Sequence, residues 1–230
     1  MSSDVELTGR TVLVAGLGVS GAAAARVLLR LGARVLLTDA AEPPVVAEFV
    51  AGGATWLGPL ETVPDGADLV VTSPGWRPDS PLLVDAARRG IEVVGEPELA
   101  WRLRVAGPGG TPAPWLAVTG TNGKTTTVTM LEAILLADGR RAVAAGNVGR
   151  PLVEVVTAVE DDGTPSYDVV AVELSSFQLH WSTSLAPAAA PETPSPATRK
   201  VRPCTSMVTV RRSRASRHRT TRYRRRRPSR

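Results

Sequence analysis

Twice in this chain a short run of apolar residues stops at a glycine-rich turn and gives way to a helix-forming stretch. The first run is Thr11 to Ala15, followed by Gly16-Leu17-Gly18-Val19-Ser20-Gly21 and an Ala/Leu/Arg segment ended at Gly32. The second is Trp115 to Thr119, followed by Gly120-Thr121-Asn122-Gly123-Lys124 and a helix from about Thr125 to Asp138 stopped at Gly139. A strand that is apolar throughout must be covered on both faces, and a helix that follows at once can cover it. The pattern therefore predicts an α/β chain with parallel sheets.

The residues between continue the alternation. Arg34 to Thr38 reads as strand, Val45 to Val50 as helix, and Asp68 to Thr72 as a strand ending at Ser73-Pro74-Gly75. Pro81 to Arg89 suits a helix closed by Gly90, Ile91 to Val94 a strand, and Glu98 to Val105 a helix. The segment Ala106 to Pro114, AGPGGTPAP, holds three Gly and three Pro, which neither element tolerates, so it reads as a linker. Beyond it, Arg141 to Ala145 and Tyr167 to Glu173 read as strands with a helix from Leu152 to Val159 between them. The expected organisation is a Rossmann-like domain over 1–105, a linker over 106–114, a partial P-loop-type domain over 115–187, and a disordered tail over 188–230.

Charge sets the tail apart. From Ala188 onward there are 14 basic residues against one acid, Glu192, while the preceding 187 residues hold 13 basic and 21 acidic. The formal charge of +5 thus describes neither part, and no basic face on the folded part follows from it. The tail has no Leu, Ile, Phe or Trp, so it lacks the apolar surface that offsets the entropy of ordering. Its cations would hold polyanions nonspecifically, but Tyr223 is its one aromatic, so base stacking and specific nucleic-acid recognition are not expected. Cys204, the single cysteine, excludes an intrachain disulfide. The opening MSSDVELTGR lacks the basic and apolar runs of a secretory signal, and no stretch approaches 18 apolar residues, so a cytoplasmic chain without membrane association is expected.

The first glycine turn fits a dinucleotide fingerprint: it follows a strand, opens a helix, and has Asp39 at the end of the next strand. Its ligand could be a nicotinamide dinucleotide or another pyrophosphate-bridged nucleotide; the plain alternative is a helix packed closely on a strand. The second turn is more specific. The backbone amides of Gly120 to Thr127 can form an anion nest, Lys124 can reach outer phosphates as a point charge, and the Thr125 hydroxyl can ligate magnesium. It is shorter than the usual Walker pattern, with Val118 where the first glycine belongs. Glu173 closes an apolar run and so projects from the carboxyl end of a strand, where a carboxylate can hold a metal; the alternative is a surface glutamate. Asn147, in Ala145-Gly146-Asn147-Val148-Gly149, can face a substrate or serve as a backbone turn device. Ser175, Ser176 and His180 suggest a hydrolase, but the Gly-x-Ser-x-Gly elbow is missing, which favours a loop polar cluster.

Taken together, GLGVSG, TSPG, VTGTNGKTTT, AGNVG and VELSSFQL resemble the Mur ligases of peptidoglycan synthesis, and VELSSFQL with a dinucleotide-like first domain resembles their D-glutamate-adding branch. The resemblance covers Thr8 to about Pro187. It implies a cell-wall ligase in which ATP phosphorylates the alanyl carboxylate of UDP-N-acetylmuramoyl-L-alanine and the D-glutamate amine attacks the acyl phosphate. It implies, further, that Gly120, Thr121, Asn122, Gly123, Lys124, Thr125, Thr126 and Thr127 hold ATP, with Lys124 on the β and γ phosphates. Thr125 and Glu173 would hold Mg2+, and Asn147 and Ser175 would face the substrate. Val19, Ser20, Thr38 and Asp39 would lie near uracil or its ribose, and Gly75 near the sugar phosphates. The family's arginine after the second strand has no counterpart, Asp39 or Ala40 standing in that area.

After Pro187 the resemblance stops. These ligases continue with an Asn, an Asp-His pair and a carbamylated lysine that helps bridge magnesium, then a third domain; this sequence continues with Arg/Pro/Thr/Ser text. A frameshift in a GC-rich gene produces such a swap, and the other two frames after the Pro187 codon are then expected to restore an Asp-His motif. Three functions follow as expectations: a ligase by lineage that binds without measurable ligation in this form, a non-catalytic nucleotide-binding remnant, or a nicotinamide-dependent oxidoreductase that leaves the second turn unexplained.

Overall fold

A computed structural model describes residues 7–188. The expected disordered tail, its basic charge and Cys204 lie outside the described residues, apart from Ala188 itself.

The first unit comprises β1 (Thr11–Ala15), α1 (Val19–Arg30), β2 (Arg34–Thr38), α2 (Val46–Ala51), β3 (Thr55–Trp56), β4 (Leu69–Thr72), α3 (Pro81–Arg88), β5 (Glu92–Gly95) and α4 (Glu96–Arg102). Its strands form one parallel sheet in the order β3-β2-β1-β4-β5. Val12 to Ala15 and all of β4 are buried, as strands covered on both faces must be. The chain order reverses between β1 and β4, which opens a crevice at their carboxyl ends where open α/β sheets take ligands.

The second unit comprises β6 (Trp115–Val118), α5 (Lys124–Ala137), β7 (Ala142–Gly146), α6 (Leu152–Val156), β8 (Val169–Glu173) and α7 (Ser176–His180). Its parallel sheet has the order β6-β8-β7, so the last strand in sequence is central. The Ala188 amide donates to the Trp115 carbonyl at 2.9 Å, which brings the chain back alongside β6.

Several boundaries differ from the sequence expectation. The two-residue strand β3 and the helix α7 were not anticipated, the first being too short to leave a pattern. Helix α4 begins at Glu96, because Pro97 falls in its first turn, where proline's missing N–H costs nothing. Helix α6 ends at Val156 instead of Val159, since Val159 pairs with Pro165 in an antiparallel bridge.

The linker segment closes on itself through an Ala106–Pro112 bridge, while the tie between the units is made by α6. Its Leu152, Val153, Val155 and Val156 are buried in the same apolar cluster as Leu28 of α1 and Leu99 of α4. Burying four such side chains is worth on the order of 6 kcal/mol, shared between the second sheet itself and α1 and α4 of the first unit. Helix α5 is the opposite case: Val128 is its one fully buried residue, while Met130 and Ile134 are about 60% exposed. Among the described residues no helix is long and apolar enough to cross a membrane.

Candidate phosphate and metal site

The second glycine turn leaves β6 and enters α5 through Gly123, whose φ of +77° is the left-handed conformation that a residue with a side chain enters only with strain. Gly123 stands at the N-cap position and brings no capping side chain, so the first-turn amides of this 14-residue helix are uncapped. Thr121, Asn122 and Gly123 are exposed around them, as are Thr125, Thr126 and Thr127. Lys124 is half-buried and its ammonium donates to the Gly120 carbonyl at 2.8 Å, on the mouth of the same turn. Amides, helix dipole and ammonium together form a positive concavity fitted to a phosphate chain.

Three strand ends meet beside it. Glu173, at the end of central β8, is 2% exposed, so it is no surface glutamate. The Thr125 hydroxyl donates to its Oε2 at 2.8 Å and the Asn147 amide Nδ2 to its Oε1 at 3.0 Å. Asn147 also donates its backbone N–H to the Glu173 carbonyl at 2.9 Å, so it acts here both as a turn device and as a side-chain clamp. A hydroxyl and a carboxylate oxygen facing each other in this way are the hard donors that Mg2+ prefers, with waters and phosphate oxygens completing its shell. Among the described residues no cluster of three His, Cys, Asp or Glu offers an alternative metal site.

The first glycine turn is differently furnished. A Cβ at Gly16, whose φ is +89°, would lie 2.2 Å from the Ser73 hydroxyl and 2.8 Å from the Trp76 indole nitrogen. The loop after β4 therefore occupies the space over the first glycine, at the point where the sheet order reverses. Asp39 turns its carboxylate onto the turn itself, accepting the Leu17 N–H and the Ala40 N–H, both at 2.7 Å. Thr38, expected near uracil or its ribose, is fully buried, with its hydroxyl donated to the Gly58 carbonyl at 2.8 Å. Val19 is exposed, Ser20 half-buried and Gly75 exposed with open space around its α-carbon, so these remain accessible at the crevice.

Ser175 caps α7. Its hydroxyl accepts the Gln178 N–H at 3.2 Å while its own N–H donates to the Gln178 side chain at 2.9 Å, a reciprocal capping box. The Ser-x-x-Gln spacing was the signal for α7 that the sequence reading passed over. His180 is exposed and packs edge-on against Trp181, and its side chain makes no hydrogen bond with Ser175 or Ser176. The roles of Ser73 and Trp76 were missed as well, although Ser73-Pro74-Gly75-Trp76 follows β4 directly.

Comparison with known proteins finds matches over two stretches of the chain. Residues 10–95 match the family described as Mur ligase MurD-like, N-terminal domain, and residues 118–192 match the Mur ligase middle domain. A Thermobifida fusca protein named UDP-N-acetylmuramoylalanine--D-glutamate ligase is 56% identical over 191 residues, 81% of this chain and 39% of its own length. Proteins of the same name from Streptomyces coelicolor and Streptomyces avermitilis are 52% and 54% identical, over 78% and 77% of this chain. This chain spans 38% and 37% of those two relatives.

Proposed function

The chain belongs to the Mur ligase family, and on that premise we propose that residues 7–188 supply the nucleotide-substrate and ATP-phosphate halves of an ATP-dependent ligase adding D-glutamate to UDP-N-acetylmuramoyl-L-alanine. The observation that carries this reading is the Thr125–Glu173 oxygen pair beside an uncapped helix start and its lysine. A substrate carboxylate and a triphosphate repel each other, so phosphoryl transfer between them needs neutralisation and fixed orientation.

Lys124 leaves the Gly120 carbonyl for a phosphate oxygen, and the first-turn amides of α5 hold the remaining phosphate charge. Thr125 and Glu173 would hold Mg2+, which would supply charge screening for the triphosphate. Asn147 keeps the Glu173 carboxylate turned toward Thr125 and presents its amide to the substrate side. Ser175 acts in this reading by fixing the turn after Glu173, its hydroxyl being held by the cap. Val19, Ser20, Asp39 and Gly75 border the nucleotide end of the substrate at the crevice of the first sheet. The alanyl carboxylate oxygen takes the terminal phosphoryl group and ADP leaves; the D-glutamate nitrogen then attacks the acyl carbon, and phosphate leaves.

The nicotinamide reading leaves the second glycine turn, with Lys124 and the Thr125–Glu173 pair, without a role. Calorimetric titration with ATP-Mg2+, UDP-N-acetylmuramoyl-L-alanine and NAD tests the proposal. Heat is expected from the first two alone, with the ATP response selectively weakened in Lys124→Ala; a response to NAD alone overturns it. For this 230-residue chain the expectation is binding without measurable ligation, and D-glutamate-dependent phosphate release would correct that part.

A further inference from the structure

Glu96 and Glu98, in the first turn of α4, are 1% and 0% exposed, and the site above uses neither. Each reaches from the first unit to the second. Glu96 Oε1 accepts the Val153 N–H at 2.7 Å, at the start of α6. Glu98 accepts the Thr183 and Ser184 amides at 2.9 and 3.0 Å and the Ser184 hydroxyl at 2.6 Å. Helix α6 follows the turn that carries Asn147, and residues 183–184 follow α7, so the two carboxylates grip both segments leading away from the Glu173 site.

The two acids are compensated differently. Glu98 has a cation, Arg102, whose Nε donates to it at 2.9 Å, and Arg102 is held in turn by Glu92 of β5 at 2.6 Å. Among the described residues Glu96 has no cation in contact. The charged group on α6 is another acid, Glu154, already paired with Arg26 of α1 at 3.2 Å, and Arg30 of α1 is donated to the Thr157 hydroxyl. Burying a carboxylate without a counter-charge favours its neutral form.

We propose that Glu96 is a proton-operated fastener between the two units. As a neutral acid it holds the start of α6, and with it the turn bearing Asn147, against α4. When its proton passes to solvent the carboxylate still accepts the Val153 N–H, but the cost of keeping an uncompensated charge buried outweighs that bond and weakens the junction as a whole. The fastener is a property of the junction and stands whether or not the neighbouring turn binds ATP.

Burial drives the Glu96 pKa up to about 7 from an ordinary 4.5; the Val153 and Leu152 amides oppose the rise and Glu154 adds to it. Burial pushes Glu98 upward as well, but Ser184 and Arg102 outweigh it and hold that carboxyl below its ordinary value. Because the folded-state pKa of Glu96 exceeds the unfolded one, its contribution to stability is complete below about pH 4.5 and is lost as pH rises through about 7.

Two measurements on the 230-residue chain test this. A carboxyl titration of Glu96 by NMR is expected to have its midpoint near neutrality, and a midpoint in the ordinary glutamate range would falsify the proposal. Urea unfolding followed by tryptophan fluorescence is expected to give a folding constant that falls on the order of fiftyfold between pH 5 and pH 8. In Glu96→Gln, a permanent stand-in for the neutral acid, most of that fall should vanish, since every other titrating group is shared. Parallel pH dependence in the two proteins overturns the fastener. Hydrogen exchange at the Leu152 and Val153 amides, corrected for intrinsic rate, should quicken at pH 8 in the unsubstituted chain alone.

Discussion

The two glycine turns share a sequence grammar but differ in what surrounds them. Around Gly16 the space is taken by Ser73 and Trp76, and the turn's Leu17 amide is held by Asp39. Around Gly123 a Cβ would meet nothing within 4 Å, and the helix behind it has no cap. One glycine is required because neighbours press on it; the other is required by backbone conformation, with the space kept open. Neither α1 nor α5 carries a side-chain cap, so the two turns differ in the space over the glycine: a strand–glycine–helix signature reports close backbone geometry first, and the neighbouring loops decide how much room is left there.

Substitutions can break or sharpen that contrast. Gly16→Ala should have the largest effect, destabilising the chain by about 3 kcal/mol through overpacking and left-handed strain; a loss under 1 kcal/mol by urea unfolding would mean that the Ser73–Trp76 loop moves aside freely. Lys124→Ala comes next: ATP-Mg2+ affinity should drop about tenfold to a hundredfold, the worth of a charge-assisted contact, with the urea midpoint unchanged. Calorimetry at constant magnesium reads it, and unaltered affinity would remove the ammonium from the site. Gly123→Ala should cost only about 1 kcal/mol of stability, because conformation alone opposes the methyl. A cost equal to that of Gly16→Ala would erase the distinction. Asp39→Asn should be smallest, weakening the hold on Leu17 by about 0.5–1 kcal/mol, and thermal melting at low salt can resolve it.

Much of this architecture was legible because its strands are short, apolar and each followed by a turn. The run Val169 to Val172 ending in Glu173 located the central strand and its carboxylate, and GTNGKTTT located the phosphate turn. Environment was less legible. Thr38 and Asp39 are neighbours at a strand end, and only the fold reveals that one hydroxyl is turned inward to Gly58 and the adjacent carboxylate back onto Leu17. Glu98 reads in sequence only as the start of a helix and Glu96 falls before it, since burial against another unit leaves no periodic trace in a seven-residue helix.

Helix α6 carries a consequence for anyone wishing to study either half alone. The AGPGGTPAP stretch invites scissors, yet the masonry runs elsewhere: α6 is the keystone set between α1 and α4 although it belongs to the later sheet. A piece ending before Trp115 would bare an oily slot where that keystone sat, and it should clump at concentrations the intact chain tolerates.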